Sequence, residues 1–116
     1  MKNIKLNSVY EIETNEGDKI KLTLAYKYLY KLRSTNKAAY DDYNNIMMKG
    51  PKDEFDNITI IYTAYLCSLL EDNGTTEGAM SYDDFLDVLP FDRVEITRAV
   101  GMLIAPKKTM ASKALS

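Results

Sequence analysis

The stretch over residues 53–71, "DEFDNITIIYTAYLCSLLE", constrains the fold more than any other part of the chain. At helical spacing Phe55, Ile58, Ile61, Tyr62, Tyr65, Leu66, Leu69 and Leu70 form one apolar stripe, and Ile60, Ala64 and Cys67 stand behind it. A helix apolar around most of its circumference cannot rest on a surface with one face covered. Either the rest of the chain wraps it, or its second face is offered to a partner. The most apolar part, residues 58–70, is shorter than the roughly 20 residues a bilayer requires and is broken by Thr59, Thr63 and Ser68. It therefore predicts a buried central helix. A chain of 116 residues suffices for one modest core around it. Cys67 is the sole cysteine, so no internal disulfide can form, which fits a reducing interior.

Two devices before this helix predict how it is covered. In "IKLNSVYEI" apolar Ile4, Leu6, Tyr10 and Ile12 alternate with polar positions, and Ile20, Leu22 and Leu24 do the same in "DKIKLTL". "NEG" between them supplies a turn, so a β-hairpin opens the fold, with Glu11 and Glu13 on the face of Lys19 and Lys21. Two strands alone are marginal and need a cover. At Leu24 the period becomes helical: Leu24, Ala25, Tyr28, Leu29 and Leu32 share a face, with Tyr26 and Tyr30 on its flank. "RSTN" interrupts, and a second helix carries Ala39, Tyr40, Tyr43, Ile46 and Met47 on one side until Gly50-Pro51 ends it.

Residues 73–84, "NGTTEGAMSYDD", nearly fit a calcium loop, with Gly78 at the sharp turn and Asp84 at the closing carboxylate. The ligand set is poor: Asn73 opens it, Thr75 is a weak donor and Asp84 is short for bidentate binding. Helix-start chemistry accounts for the same residues. Ser81 with Asp84 forms a capping box, and Met80 with Phe85 a hydrophobic staple. What remains is a connector and hinge candidate over residues 72–78. Asp92 with Glu95, and Phe91 with Ile96, repeat both devices after Pro90. The last helix places Ile96, Ala99, Val100, Leu103 and Ile104 on one face and is expected to stop before Pro106. The expectation is an α+β domain over residues 1–106, a β-hairpin followed by four to five α-helices, with a loose tail over 107–116.

Little in the chain suits catalysis. It contains no histidine, the commonest general base and an important metal ligand, and Cys67 sits among apolar neighbours. Asp83, Asp84, Asp87, Asp92 and Glu95 fall where helix starts gather acids to offset the helix dipole. Neither a phosphate-binding glycine loop nor a nucleophile elbow is present. A non-catalytic protein without cofactor or metal is expected. The opening residues alternate and include acids, unlike a secretory leader, so an intracellular, soluble protein is expected as well.

Binding is better supplied. Nine tyrosines without tryptophan, and six methionines, are the unusual features of the composition. Tyr26 and Tyr30 leave the buried stripe among Lys27, Lys31 and Arg33, a mixture suited to a protein contact or to stacked bases. With 15 basic against 17 acidic residues there is no general basic field, which favours protein over nucleic acid. Tyr26, Tyr30, Arg33, Met47, Met48, Ile60 and Ala64 are the candidate partner-binding residues. For Ile60 and Ala64 the alternative is that the second face of the third helix closes the domain's own core or a homo-oligomer interface.

A short hairpin running into "KIKLTLAYKYLYKLRS", a helical body, and the closing "MSYDDFLDVLPFDRVEITRAVGMLI" together resemble the small tail assembly chaperones of long-tailed bacteriophages and prophages, especially those of Gram-positive hosts. The resemblance spans most of residues 3–105 and rests on layout. It implies a non-catalytic protein of the bacterial host cytoplasm that keeps the tape measure protein soluble while the tail tube protein polymerises around it. Related proteins often also exist as a longer frameshifted product, for which residues 107–116 would be the junction. The competing reading is a small phage or bacterial regulatory adaptor that binds nucleic acid or a protein through Tyr26, Tyr30 and the neighbouring lysines.

Overall fold

The computed structural model describes the backbone of residues 10–90 and 92–115, with side chains as far as Ala105. The expected strand residues before Tyr10, and the Phe91 half of the second staple, lie outside the described residues. An antiparallel hairpin of β1 (Tyr10–Glu13) and β2 (Lys19–Leu22) is followed by five helices, giving the expected α+β class. The helices are α1 (Tyr26–Thr35), α2 (Lys37–Lys49), α3 (Glu54–Asn73), α4 (Tyr82–Val88) and α5 (Arg93–Leu115).

The hairpin has the register that alternation implies, with Ile12 opposite Ile20 and both buried. Its turn is organised by Thr14, whose Oγ1 accepts the Glu16 and Asp18 amides at 3.2 and 3.1 Å. Gly17 then takes a φ of 93°, a conformation that side chains disfavour. Glu11 and Glu13 face Lys21 and Lys19 across the ladder as expected. Lys21 nevertheless sends its Nζ to Glu71 at 2.9 Å and Asp72 at 2.6 Å on α3. The hairpin is thereby tied to the helix that covers it. Its turn is tied to α4 as well: Asn15 donates its backbone N–H to the Val88 carbonyl and its Nδ2 to that of Asp87. Both are carbonyls that a helix end leaves without intrahelical partners.

α3 is central, packed by β2, α1, α2 and α5. Its polar residues are hidden by bonding back to their own helix. Thr63 Oγ1 donates to the Thr59 carbonyl and Ser68 Oγ to that of Tyr65. The face carrying Ile60, Ala64 and Cys67 is closed by the chain itself, all three residues being 0% exposed. Ala64 is a point of close approach, because Thr23 at the end of β2 donates its backbone N–H to the Ala64 carbonyl at 3.2 Å. Phe55 departs from expectation: assigned to the core stripe, it is 63% exposed. Periodicity gives its direction around α3 but not how far along the axis the neighbours extend. Phe55 lies in the first turn, at the rim of an open groove.

The start signals at Ser81 and Asp92 are realised: Ser81 accepts the Asp84 amide, and Asp92 Oδ1 accepts those of Val94 and Glu95. Asn36 and Asp53, not singled out from sequence as caps, accept the amides of Ala39 and Asp56 in the same way. Met80 and Phe85 both join the core, Phe85 fully buried among Tyr62 and Tyr65. The helix stop at Pro106 is not realised, since α5 continues to Leu115. Proline deprives one carbonyl, four residues back, of its donor. The alanines, lysines, methionine and leucine that follow are strong helix formers. The segment expected to be a loose tail is helical over residues 107–115.

Candidate functional site

Asn36 alone separates α1 from α2, so the two helices pack side by side and each presents a stripe to the other. Tyr26, Leu29, Tyr30 and Arg33 come from α1, and Tyr40, Tyr43, Asn44 and Met47 from α2. Each set has the i, i+3, i+4, i+7 spacing of a single helix face. Between them runs an open groove of about 340 Å³. Tyr26 and Tyr30 form its lip at 64% and 63% exposure, while Leu29 and Tyr43 are buried at its floor. The Arg33 guanidinium bridges the two sides, 5.3 Å from the Tyr30 ring centroid and 6.0 Å from that of Tyr40. Burial is the main cause that pushes the Tyr43 hydroxyl well above the ordinary phenol range, reinforced by Cys67, Tyr26 and Tyr40 nearby. Tyr43 therefore remains a neutral phenol at physiological pH.

Four of the residues singled out from sequence, Tyr26, Tyr30, Arg33 and Met47, are thus brought together in one groove. Met48 lies on the outer side of α2 at 75% exposure, its sulfur accepting from Asn44 Nδ2 at 3.5 Å. Ile60 and Ala64 have no surface to offer, which removes them from the site. Sequence reasoning missed Tyr40, Tyr43 and Asn44 as lining. One spacing repeats in "YKYLYKLR" and "YDDYNNIM", but by itself it does not separate groove lining from a core stripe.

Arg33 is the charged residue among the groove's lining. α1 carries Lys27, Lys31 and Arg33 and no acid. Among the described residues the ion pairs join Glu71 and Asp72 to Lys21, Asp41 to Lys37, Glu54 to Arg93 and Glu95 to Arg98. Lys27 and Lys31 lie 5.7 Å from the Tyr28 ring centroid. Phenol edges, a guanidinium, an amide and a thioether equip the groove for stacking and hydrogen bonding with a bound segment.

The connector after α3 is anchored at its far end. Tyr65 Oη accepts the Met80 amide at 2.8 Å, and Tyr62 Oη donates to the Met80 carbonyl at 2.7 Å. Thr75 Oγ1 and Ser81 Oγ, both within the calcium-like stretch, are engaged by the amides of Glu77 and Asp84. No cluster of three or more carboxylate or thiol groups able to hold a metal ion occurs among the described residues. A second groove, not foreseen, lies between the start of α3 and the α4–α5 junction. Phe55, Ile58, Leu86, Leu89 and Ile96 line its apolar part, and the Arg93–Glu54 ion pair, at 3.2 Å, closes one rim. Among the described residues no helix is long and apolar enough to cross a membrane. No family model matches the chain, and no curated protein or solved structure resembles it closely enough to count as a match.

Proposed function

We propose that this protein is a non-catalytic binding protein acting through the α1–α2 groove. Its client, on the resemblance in layout, is the tape measure protein of a long-tailed phage, with the tail tube protein as a further partner in the host cytoplasm. The observation that carries the reading is the convergence of Tyr26, Tyr30, Arg33 and Met47 on one solvent-open groove, while the second face of α3 is consumed by the core. Exposed tyrosines give large contact area at small entropic cost, and methionine adapts to varied apolar shapes. Such a surface holds apolar client side chains away from one another, as a chaperone of an aggregation-prone protein must.

Co-expression tests it. A tape measure protein of a long-tailed phage, co-expressed with the wild-type chain, should remain soluble and co-purify with it. Joint Tyr26→Ala and Tyr30→Ala substitution should abolish capture without altering the circular dichroism spectrum. A client equally soluble without the chaperone, or captured undiminished by the double variant, would overturn the reading.

A further inference from the structure

One hydroxyl at the floor of the groove lacks what the fold's other buried phenol has. Among the described residues two tyrosines are buried in the core, Tyr43 at 5% and Tyr65 at 8% exposure. Tyr65 Oη accepts the Met80 amide at 2.8 Å. The Tyr43 hydroxyl has no hydrogen-bond partner among the described residues, although burial, more than any neighbour, pushes the phenol above its ordinary range. Buried polar groups are paired as a rule, because a missing hydrogen bond leaves their desolvation uncompensated. Tyr43 lines the groove, and so do Tyr26 and Tyr40, two of its electrostatic neighbours. The unused donor therefore lies at the base of an open groove of about 340 Å³.

The rest of the lining says what kind of acceptor completes it. No carboxylate is among the lining residues, and Arg33, whose guanidinium only donates, takes part in none of the ion pairs of the described residues. An anionic acceptor fits poorly, since Asp41 and Asp42 stand on α2 and buried Leu29 beside Tyr43 gives a carboxylate nothing in exchange for water. A neutral carbonyl loses less on burial, and the planes of Tyr30, Arg33 and Tyr40 suit a flat group. Among protein side chains only asparagine and glutamine carry a neutral carbonyl.

We propose that the α1–α2 groove selects a segment that presents a carboxamide side chain, glutamine or asparagine, whose oxygen accepts from Tyr43 Oη. This rests on the groove being the protein-binding site and adds the chemistry of the anchor it takes.

The test titrates the full chain, labelled with ¹⁵N, and its Tyr43→Phe variant with three probes that share one ring: benzamide, benzoate and toluene. Benzamide should bind the wild type most tightly of the three, with amide shifts concentrated on α1 and α2, and Tyr43→Phe should weaken it about threefold to tenfold. Toluene, which accepts no such hydrogen bond, should bind the variant at least as well as the wild type. The urea midpoint near neutrality should be the same for both chains, because phenylalanine removes a donor without an internal partner. A lower midpoint for Tyr43→Phe would overturn the proposal by showing the hydroxyl already bonded within the fold. So would benzamide binding that the variant leaves unchanged, benzamide shifts outside α1 and α2, tighter binding of benzoate or toluene, or no benzamide binding up to about 20 mM. If the probes behave as expected while Tyr26→Ala with Tyr30→Ala leaves client capture undiminished, the anchor chemistry stands and the client reading falls. If that pair abolishes capture while benzamide does not distinguish Tyr43→Phe, the groove stands and the carboxamide anchor falls.

Discussion

Two faces of this molecule look alike in sequence and end differently. The Ile60–Ala64–Cys67 face of α3 and the Tyr26–Tyr30 flank of α1 are both apolar or aromatic stripes beyond what one core contact needs. The first is closed completely, by the end of β2 and its neighbours, down to a hydrogen bond from the Thr23 amide to the Ala64 carbonyl. The second stays open, because α2 meets α1 through the floor of the groove and leaves the tyrosine lip in water. The difference lies in which elements pack over each face. At Ala64 the small side chain lets the Thr23 backbone approach α3, whereas Tyr26 and Tyr30 point away from the α1–α2 contact and stay 64% and 63% exposed.

The contrast can be broken most severely at its closed end. Ile60→Ala should destabilise the fold by about 2–5 kcal/mol, read as a fall in the urea midpoint, because it leaves a cavity in the core where Ile60 is fully buried. A loss no larger than that of an exposed substitution would mean the face is not closed. Ala64→Leu should cost about 1–3 kcal/mol by forcing the Thr23 backbone away from α3.

Alkaline pH sharpens the comparison at the floor of the groove. Burial raises the Tyr43 hydroxyl above its ordinary value of about 10, so below that pH the phenol is neutral in both folded and unfolded chains. As pH rises past about 10 the unfolded chain ionises first, and stability falls. Lys21 adds to the trend. Its hydrogen bonds with Asp72 and then Glu71 raise its own value, so their contribution is present below the ordinary lysine range and lost above it. Urea midpoints across pH 8 to about 11 should decline for the wild type and less steeply for Tyr43→Phe, with little difference between the two near neutrality. Parallel curves would place Tyr43 in water. The smallest effect belongs to the open end. Tyr30→Ala should change stability by no more than about 0.5 kcal/mol, and a larger loss would show that the lip is part of the core.

Much of the architecture was legible because local physics sets it. Ser81 and Asp92 announce helix starts through side-chain acceptors placed three residues before an amide, and alternation from Tyr10 to Leu22 fixes which hairpin face is buried. Pro106 misled because a proline penalty is weighed against the helix-forming residues after it. Lys21 misled because a long side chain chooses among all carboxylates within reach, and those of Glu71 and Asp72 arrive through tertiary packing. Half of the groove was legible as well, since the exposed Tyr26 and Tyr30 stand out among lysines on α1. Of the α2 half only Met47 was, because Tyr40 and Tyr43 carry the same spacing as a core stripe and only the placement of α1 turns them into lining.

The sequence by itself determined the elements, their starts, the inward face of each and the need for a cover over α3. Those properties depend on neighbours within a turn of helix or across a two-residue repeat. Tertiary structure alone decided which surplus apolar surface is hidden and which is left open. That outcome depends on where distant elements come to rest: β2 against Ala64 closed one face, and α2 beside α1, a single residue away in the chain, left the tyrosines of the other at the lip of a groove.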